Sequence, residues 1–153
     1  MSYYLDCLNK GMESSTTDFY QVEGELFMAF YAMKDKPDFV CAFLELSSWM
    51  GISARDGVWA YYEYTGHKKV DGIIQYLQEN ASNSELCKMY ALGNHDYDNE
   101  KYQDGVDYPE EWMDEAEIID EWICNNEDDI YAFMQEILRK NSDYFEKLRF
   151  STK

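Results

Sequence analysis

The chemistry-bearing side chains of this chain are carboxylates, and they gather in one place. In PEEWMDEAEIIDEW, residues 109–122, Glu110, Asp114, Glu117 and Glu121 recur at spacings of four, three and four. On a helix those spacings stack side chains along one face. Glu111 and Glu115 form a second row beside them. Just upstream, GNHDYDNEKYQDGVDY adds Asp96, Asp98, Asp104 and Asp107. Such a set could ligate a metal, perform acid/base chemistry, or accept charge-assisted hydrogen bonds from Arg and Lys.

The first two chemistries lack supporting residues. Zinc needs close Cys or His ligands, and His67 and His95 are the only histidines, neither near a Cys in sequence. A calcium loop starting at Glu100 would place Asp104, Gly105 and Glu111 in register. It would also put Tyr102 where a short oxygen ligand belongs and Pro109 inside the loop. Hydrolysis by paired carboxylates needs one acid protonated and one ionised, and nothing marks any of these acids as buried. There is no G-x-S-x-G and no phosphate-binding glycine loop. The reading is therefore not an enzyme, with no metal and no cofactor. A small hydrolase is the alternative that would need a deep polar pocket.

The third chemistry fits better. Acids near a helix N-terminus are favoured by its dipole, which accounts for Glu110 and Glu111 and, on the next helix, for Glu127, Asp128 and Asp129. It does not account for Asp120 or Glu121 near a C-terminus. Wet helix faces normally mix signs, because like-charged i,i+4 pairs cost a few tenths of a kcal/mol each. Here Glu110–Asp114, Glu111–Glu115 and Glu117–Glu121 are all like pairs.

The whole chain is acidic, with 31 acids, 13 bases and a net charge of −18 over 153 residues. Residues 96–129 alone carry 15 acids and one base, Lys101. That balance excludes a direct nucleic-acid or anionic-membrane binder, since both require Lys and Arg against phosphate. It favours a basic partner. Cys7, Cys41, Cys87 and Cys124 form no C-x-x-C pair, which reads as thiols of a reducing compartment. No signal-peptide pattern opens the chain and no apolar run is long enough for a bilayer. The expectation is a cytoplasmic protein.

The elements that must position the acids are helical throughout. Asp18 is expected to cap a helix with the stripe Phe19, Val22, Leu26, Phe30 and Met33. A buried helix follows from Pro37 and ends at Gly51. ARDGVWAYYEYTG closes at Gly66, HKKVDGIIQYLQEN closes at Asn80, and a Ser82 cap opens a helix stopped by Gly93. Residues 93–108 lack apolar periodicity and read as an exposed acidic loop of about 16 residues, a length often functional. An acidic helix occupies 109–124, docking by Trp112, Ala116, Ile119 and Ile123. Asn126 is expected to cap EDDIYAFMQEILRK, and Asn141 or Ser142 a last short helix. The sum is a single compact all-α domain, 1–153, of about seven or eight helices.

GVWAYYEYTG, then VDGIIQYLQENASNSELCKMYALG, and finally IIDEWICNNEDDIYAFMQEILRKN resemble a bacterial domain family of unknown function that includes the neisserial DNA-mimic protein. The shared features are Gly57, the aromatics Trp59, Tyr61 and Tyr62, two short helices, and closing helices ending at Asn141. The resembling segments lie between residues 57 and 141, a span of a little over half of the chain. The resemblance implies an all-helical fold, an acidic surface imitating DNA, a homodimer, and a DNA-binding regulator as target.

The combined expectation is an acidic protein-binding module that inhibits or tunes a basic DNA- or RNA-binding protein. Its contact residues would be Asp96, Asp98, Asp104, Asp107, Glu110, Asp114, Glu115, Glu117 and Glu121. An immunity protein neutralising a basic nuclease toxin is the alternative with the same physics.

Overall fold

The computed structural model describes residues 2–81, 84–102 and 107–151. Among them are nine α-helices and no strand: α1 (Ser2–Glu13), α2 (Thr16–Tyr31), α3 (Asp38–Asp56), α4 (Val58–Thr65), α5 (His67–Asn80), α6 (Ser84–Leu92), α7 (Glu110–Asn125), α8 (Glu127–Lys140) and α9 (Ser142–Ser151). A 3-10 turn, Glu100–Tyr102, interrupts the long loop. The all-α class read from the periodicity is the observed one. No helix among the described residues is long and apolar enough to cross a membrane.

Contacts group the chain into two compact units. One comprises residues 1–44 and 128–153, and the other residues 45–127. The chain passes from one to the other within α3 and after the first residue of α8.

The first unit is built on phenylalanines. Phe30 meets Phe43 edge to face at 5.0 Å and stacks on Phe145 at 5.8 Å, and Phe39 meets Phe145 at 5.4 Å. Gln135 on α8 is buried, and its Nε2 donates to the carbonyls of Gly11 and Ser14. Arg139 donates to the Met12 carbonyl through two nitrogens. These bonds satisfy carbonyls that α1 leaves open at its C-terminus. Helix α1 itself had no periodicity assigned to it from sequence.

Several predicted helix ends move. Ser15, not Asp18, caps α2. The Asp18 amide donates to Ser15 Oγ, and that hydroxyl donates back to the Asp18 carboxylate at 2.9 Å. Asp18, in the third helical position, thus meets the cap through both its amide and its carboxylate, each on the Ser15 hydroxyl and not on the Ser15 amide as in a capping box. Gly51 does not end α3, which continues to Asp56. A glycine inside a helix costs only about 1 kcal/mol, and burial of Trp49 and Met50 beside it outweighs that. Asn80, Asn126 and Asn141 each donate their side-chain amide to the carbonyl four residues earlier, at 2.9, 2.8 and 2.7 Å. Asn126 and Asn141 thus close the helix behind them, where the sequence suggested caps for the helix ahead. The expected Ser82 cap lies outside the described residues.

The second unit has a polar, aromatic centre. Trp49, Tyr61, Tyr62 and Tyr90 are fully enclosed. Trp49 Nε1 donates to the Tyr62 hydroxyl at 3.0 Å, and Tyr62 donates to the Tyr90 carbonyl at 2.6 Å. The Tyr61 and Tyr90 hydroxyls are 2.6 Å apart, and Tyr61 donates to Glu45 Oε1 at 3.2 Å. Glu45 is buried, and its other oxygen faces Lys69 Nζ at 3.6 Å. Among the described residues every enclosed side-chain nitrogen or oxygen has a partner, as burial of polar groups demands. Burial, first of all, pushes the phenols of Tyr61, Tyr62 and Tyr90 above their ordinary range. Gly93 ends α6 against this centre, where an added Cβ would collide with the Tyr62 ring.

Candidate functional site

The acidic helix is α7, in the second unit. It buries Ala116, Ile119, Trp122 and Ile123, close to the predicted stripe. Trp122 also donates from Nε1 to Glu85 Oε1 at 3.0 Å. Burying a Trp and two Ile is worth several kcal/mol, at roughly 1.5–3 kcal/mol for each large side chain. The like-charged pairs on the other side cost about 1 kcal/mol in total. Packing therefore wins, and the helix tolerates an outward face that local stability would not select.

That outward face is a ridge. Glu110, Asp114, Glu117 and Glu121 are all exposed, and by the 3.6-residue turn they fall within an arc of about 60°. They span about 16 Å along the helix axis. The side chains of these four make no ion pair or hydrogen bond with any described residue. Ile118, half exposed at 51%, lies along one flank.

Two other acids of the block have structural work. Asp120 Oδ1 accepts from Ser53 Oγ at 2.5 Å and from the Val58 amide at 2.8 Å. Helix α4 begins at Val58, its N-cap is Gly57 at φ 93°, and Gly57 has no side chain to cap it. Asp120 supplies the missing acceptor from another helix, which explains an acid where the α7 dipole disfavours one. Glu115 is half-buried and accepts from Nε2 of His95. It stands at the edge of the exposed row and is already engaged.

The described loop residues before α7 are held by packed rings. The His95 ring lies flat on Trp112, with centroids 4.6 Å apart and planes 5° apart. Tyr97, only 3% exposed, stacks on Tyr62 and packs against Trp112 at 5.0 Å. Tyr102 and Tyr108 meet Trp112 at 5.3 and 5.9 Å. Burial first, then the Glu115 carboxylate, raises the Tyr97 phenol. Tyr108, which bonds Glu63, is raised by burial and then by that carboxylate. The expectation of an exposed loop holds for Asp96, Asp98 and Asp107, and it fails for His95, Tyr97, Tyr102 and Tyr108, whose rings knot around Trp112. The signal of this knot was present in the spacing of His95, Tyr97, Tyr102 and Tyr108, but irregular intervals escape a search for helical or strand periods.

Of the predicted contact residues, Asp96, Asp98 and Asp107 are exposed on the loop and share the second unit with the ridge. Asp104 lies outside the described residues, as does Gly105 of the calcium reading. Asp98 faces a concave hollow of about 520 Å³ lined also by Thr65, Gly66, Lys68 and Lys69. The second unit carries 19 acids against 5 bases in sequence, a net of −14, whereas the first carries −4. No protein-family profile matches the chain, and no curated protein or solved structure matches it.

Proposed function

We propose that the second unit is a protein-binding module whose α7 ridge receives the cationic surface of a DNA- or RNA-binding protein and occludes it. The observation that carries this reading is the row Glu110, Asp114, Glu117 and Glu121: exposed, single-signed, without internal cations, and fixed on a well-packed helix. Four charges in about 16 Å compare with about five phosphates on one DNA strand of that length, at 3.4 Å per nucleotide. Arg and Lys side chains spaced for a phosphate backbone would find acceptors at a similar density. A rigid helix presents them with little ordering cost, and the surrounding field would speed encounter. Asp96, Asp98 and Asp107 extend the field along the anchored loop. Glu115 serves by fixing that loop through His95.

The test uses immobilised wild-type protein and the triple variant Asp114→Asn, Glu117→Gln, Glu121→Gln, each exposed to lysate of the source cell. The reading expects the wild type to retain a basic nucleic-acid-binding protein that duplex DNA or RNA displaces and the variant to lose it. Identical profiles from both would overturn it. A retained nuclease would mark the partner as a toxin and the chain as its immunity protein.

A further inference from the structure

Helix α2 is apolar on two sides. One side packs inside the first unit, where Phe19, Leu26 and Phe30 are fully buried. The other side is bare: Tyr20, Met28 and Tyr31 are 63%, 67% and 66% exposed, with Phe27 partly exposed among them. By the 3.6-residue turn, Tyr20, Gly24, Phe27 and Tyr31 fall within an arc of about 60°, and Met28 lies beside it. A large ring covers about 150–250 Å² when fully buried, so the bare stripe is on the order of 400 Å². A helix apolar on both sides is normally covered on both, and a patch of this size on a monomer is often functional.

The spacing says what covers it. The intervals from Tyr20 to Gly24, Phe27 and Tyr31 are four, three and four, the same in either direction. They also follow the 3.5-residue seam of paired helices. A contact between two copies about a two-fold axis must be self-complementary in this way. Laid antiparallel on itself, the stripe sets Tyr20 against Tyr31 of the second copy and Phe27 against Gly24. At Gly24 an added Cβ would meet nothing within 4 Å, so the missing side chain leaves a notch that a ring can enter. Phe27 and Tyr31 already stack, with centroids 6.0 Å and planes 11° apart, which lowers the cost of ordering them.

Charge selects the direction. Asp18, Glu23 and Glu25 lie in the first part of α2, whereas Lys34 and Lys36 follow its C-terminus with Asp35 between them. Antiparallel packing brings each acidic part toward the lysines of the other copy, and parallel packing would set acids on acids. It also opposes the two helix dipoles. The first unit carries only −4 of the −18, so two copies meeting there face the weaker self-repulsion.

We infer that a second copy of this chain covers the stripe, α2 packing antiparallel on α2 about a two-fold axis between Gly24 and Phe27. The stripe falls short of the roughly 800 Å² a side of a stable dimer, so the pair is weak and depends on concentration. It belongs to the first unit and does not rest on the ridge or on any basic partner.

The test is sedimentation of the full chain from about 5 µM to about 500 µM, the range of a weak dimer. The wild-type mass is expected to rise from one chain toward two. Tyr20→Glu and Tyr31→Lys, at exposed positions, should each weaken association about tenfold by setting a charge against a ring. The two substitutions in one chain should restore it, because each new carboxylate then meets the new ammonium of the other copy. Within one helix the two positions are about 16 Å apart and cannot pair. Wild-type amide shifts along α2 should also move with concentration, a readout that needs no variant. A wild type that stays monomeric with unmoved shifts would overturn the inference and leave the stripe to a different occupant. A dimer that both single variants leave intact, or one that the double variant does not recover, would overturn it too.

Discussion

Asp120 accepts hydrogen bonds from Ser53 and from the first amide of α4, whereas Glu121, one residue on, is exposed on the ridge. The two carboxylates should therefore respond oppositely to substitution. Asp120→Ala removes the side-chain acceptor of the Val58 amide at the start of α4 and is expected to cost about 1–3 kcal/mol, read as a lower urea midpoint. Glu117→Gln removes repulsion with Asp114 and Glu121 and should leave the midpoint unchanged or raise it by a few tenths of a kcal/mol. Equal losses for both would mean that the ridge is structural. The buried phenols provide a second residue-level prediction. Tyr61, Tyr62 and Tyr90 ionise less readily folded than unfolded, so their contribution is complete below the ordinary phenol range near 10 and is lost as pH rises above it. Each withdraws about 1.4 kcal/mol per pH unit there. Alkaline unfolding monitored by circular dichroism should begin just above that range and should come with tyrosinate absorbance.

Helix periods told most of the element-level story because most faces here are buried on one side. The stripes of α2 and α7 were legible as Phe19, Leu26 and Phe30, and as Ala116, Ile119 and Ile123. Helix ends were less legible, since a cap depends on which acceptor wins. Ser15 took the place expected for Asp18, and asparagines turned back on their own helices. Gly51 looked like a stop because a glycine is permissive, but α3 runs through it with open space at its Cα. Gly51→Ala is accordingly expected to stabilise by about 0.5–1 kcal/mol. Gly93→Ala, forced against the Tyr62 ring, should destabilise. Thermal melts of the pair would show opposite shifts. The loop was the least legible element. Its anchors are rings that meet across irregular sequence intervals, and the His95–Glu115 and Trp112 contacts exist only once α7 is in place.

At the scale of the molecule, charge is partitioned. The second unit holds −14 of the −18 and also holds the ridge, the aromatic knot and the loop. The exposed row of carboxylates was readable from spacing alone. The sequence could not separate Asp120 and Glu115, which have partners, from Asp114, Glu117 and Glu121, which face solvent. A surface of this kind should bind with strong salt dependence, because its gain is Coulombic and screened beyond about 8 Å at physiological ionic strength. The most direct measurement is capture of the proposed basic partner by wild type and by the Asp114→Asn, Glu117→Gln, Glu121→Gln variant, at matched stability and across a salt series. The account predicts capture by the wild type that fades with salt and is lost in the variant at physiological salt. Undiminished capture by the variant would contradict it.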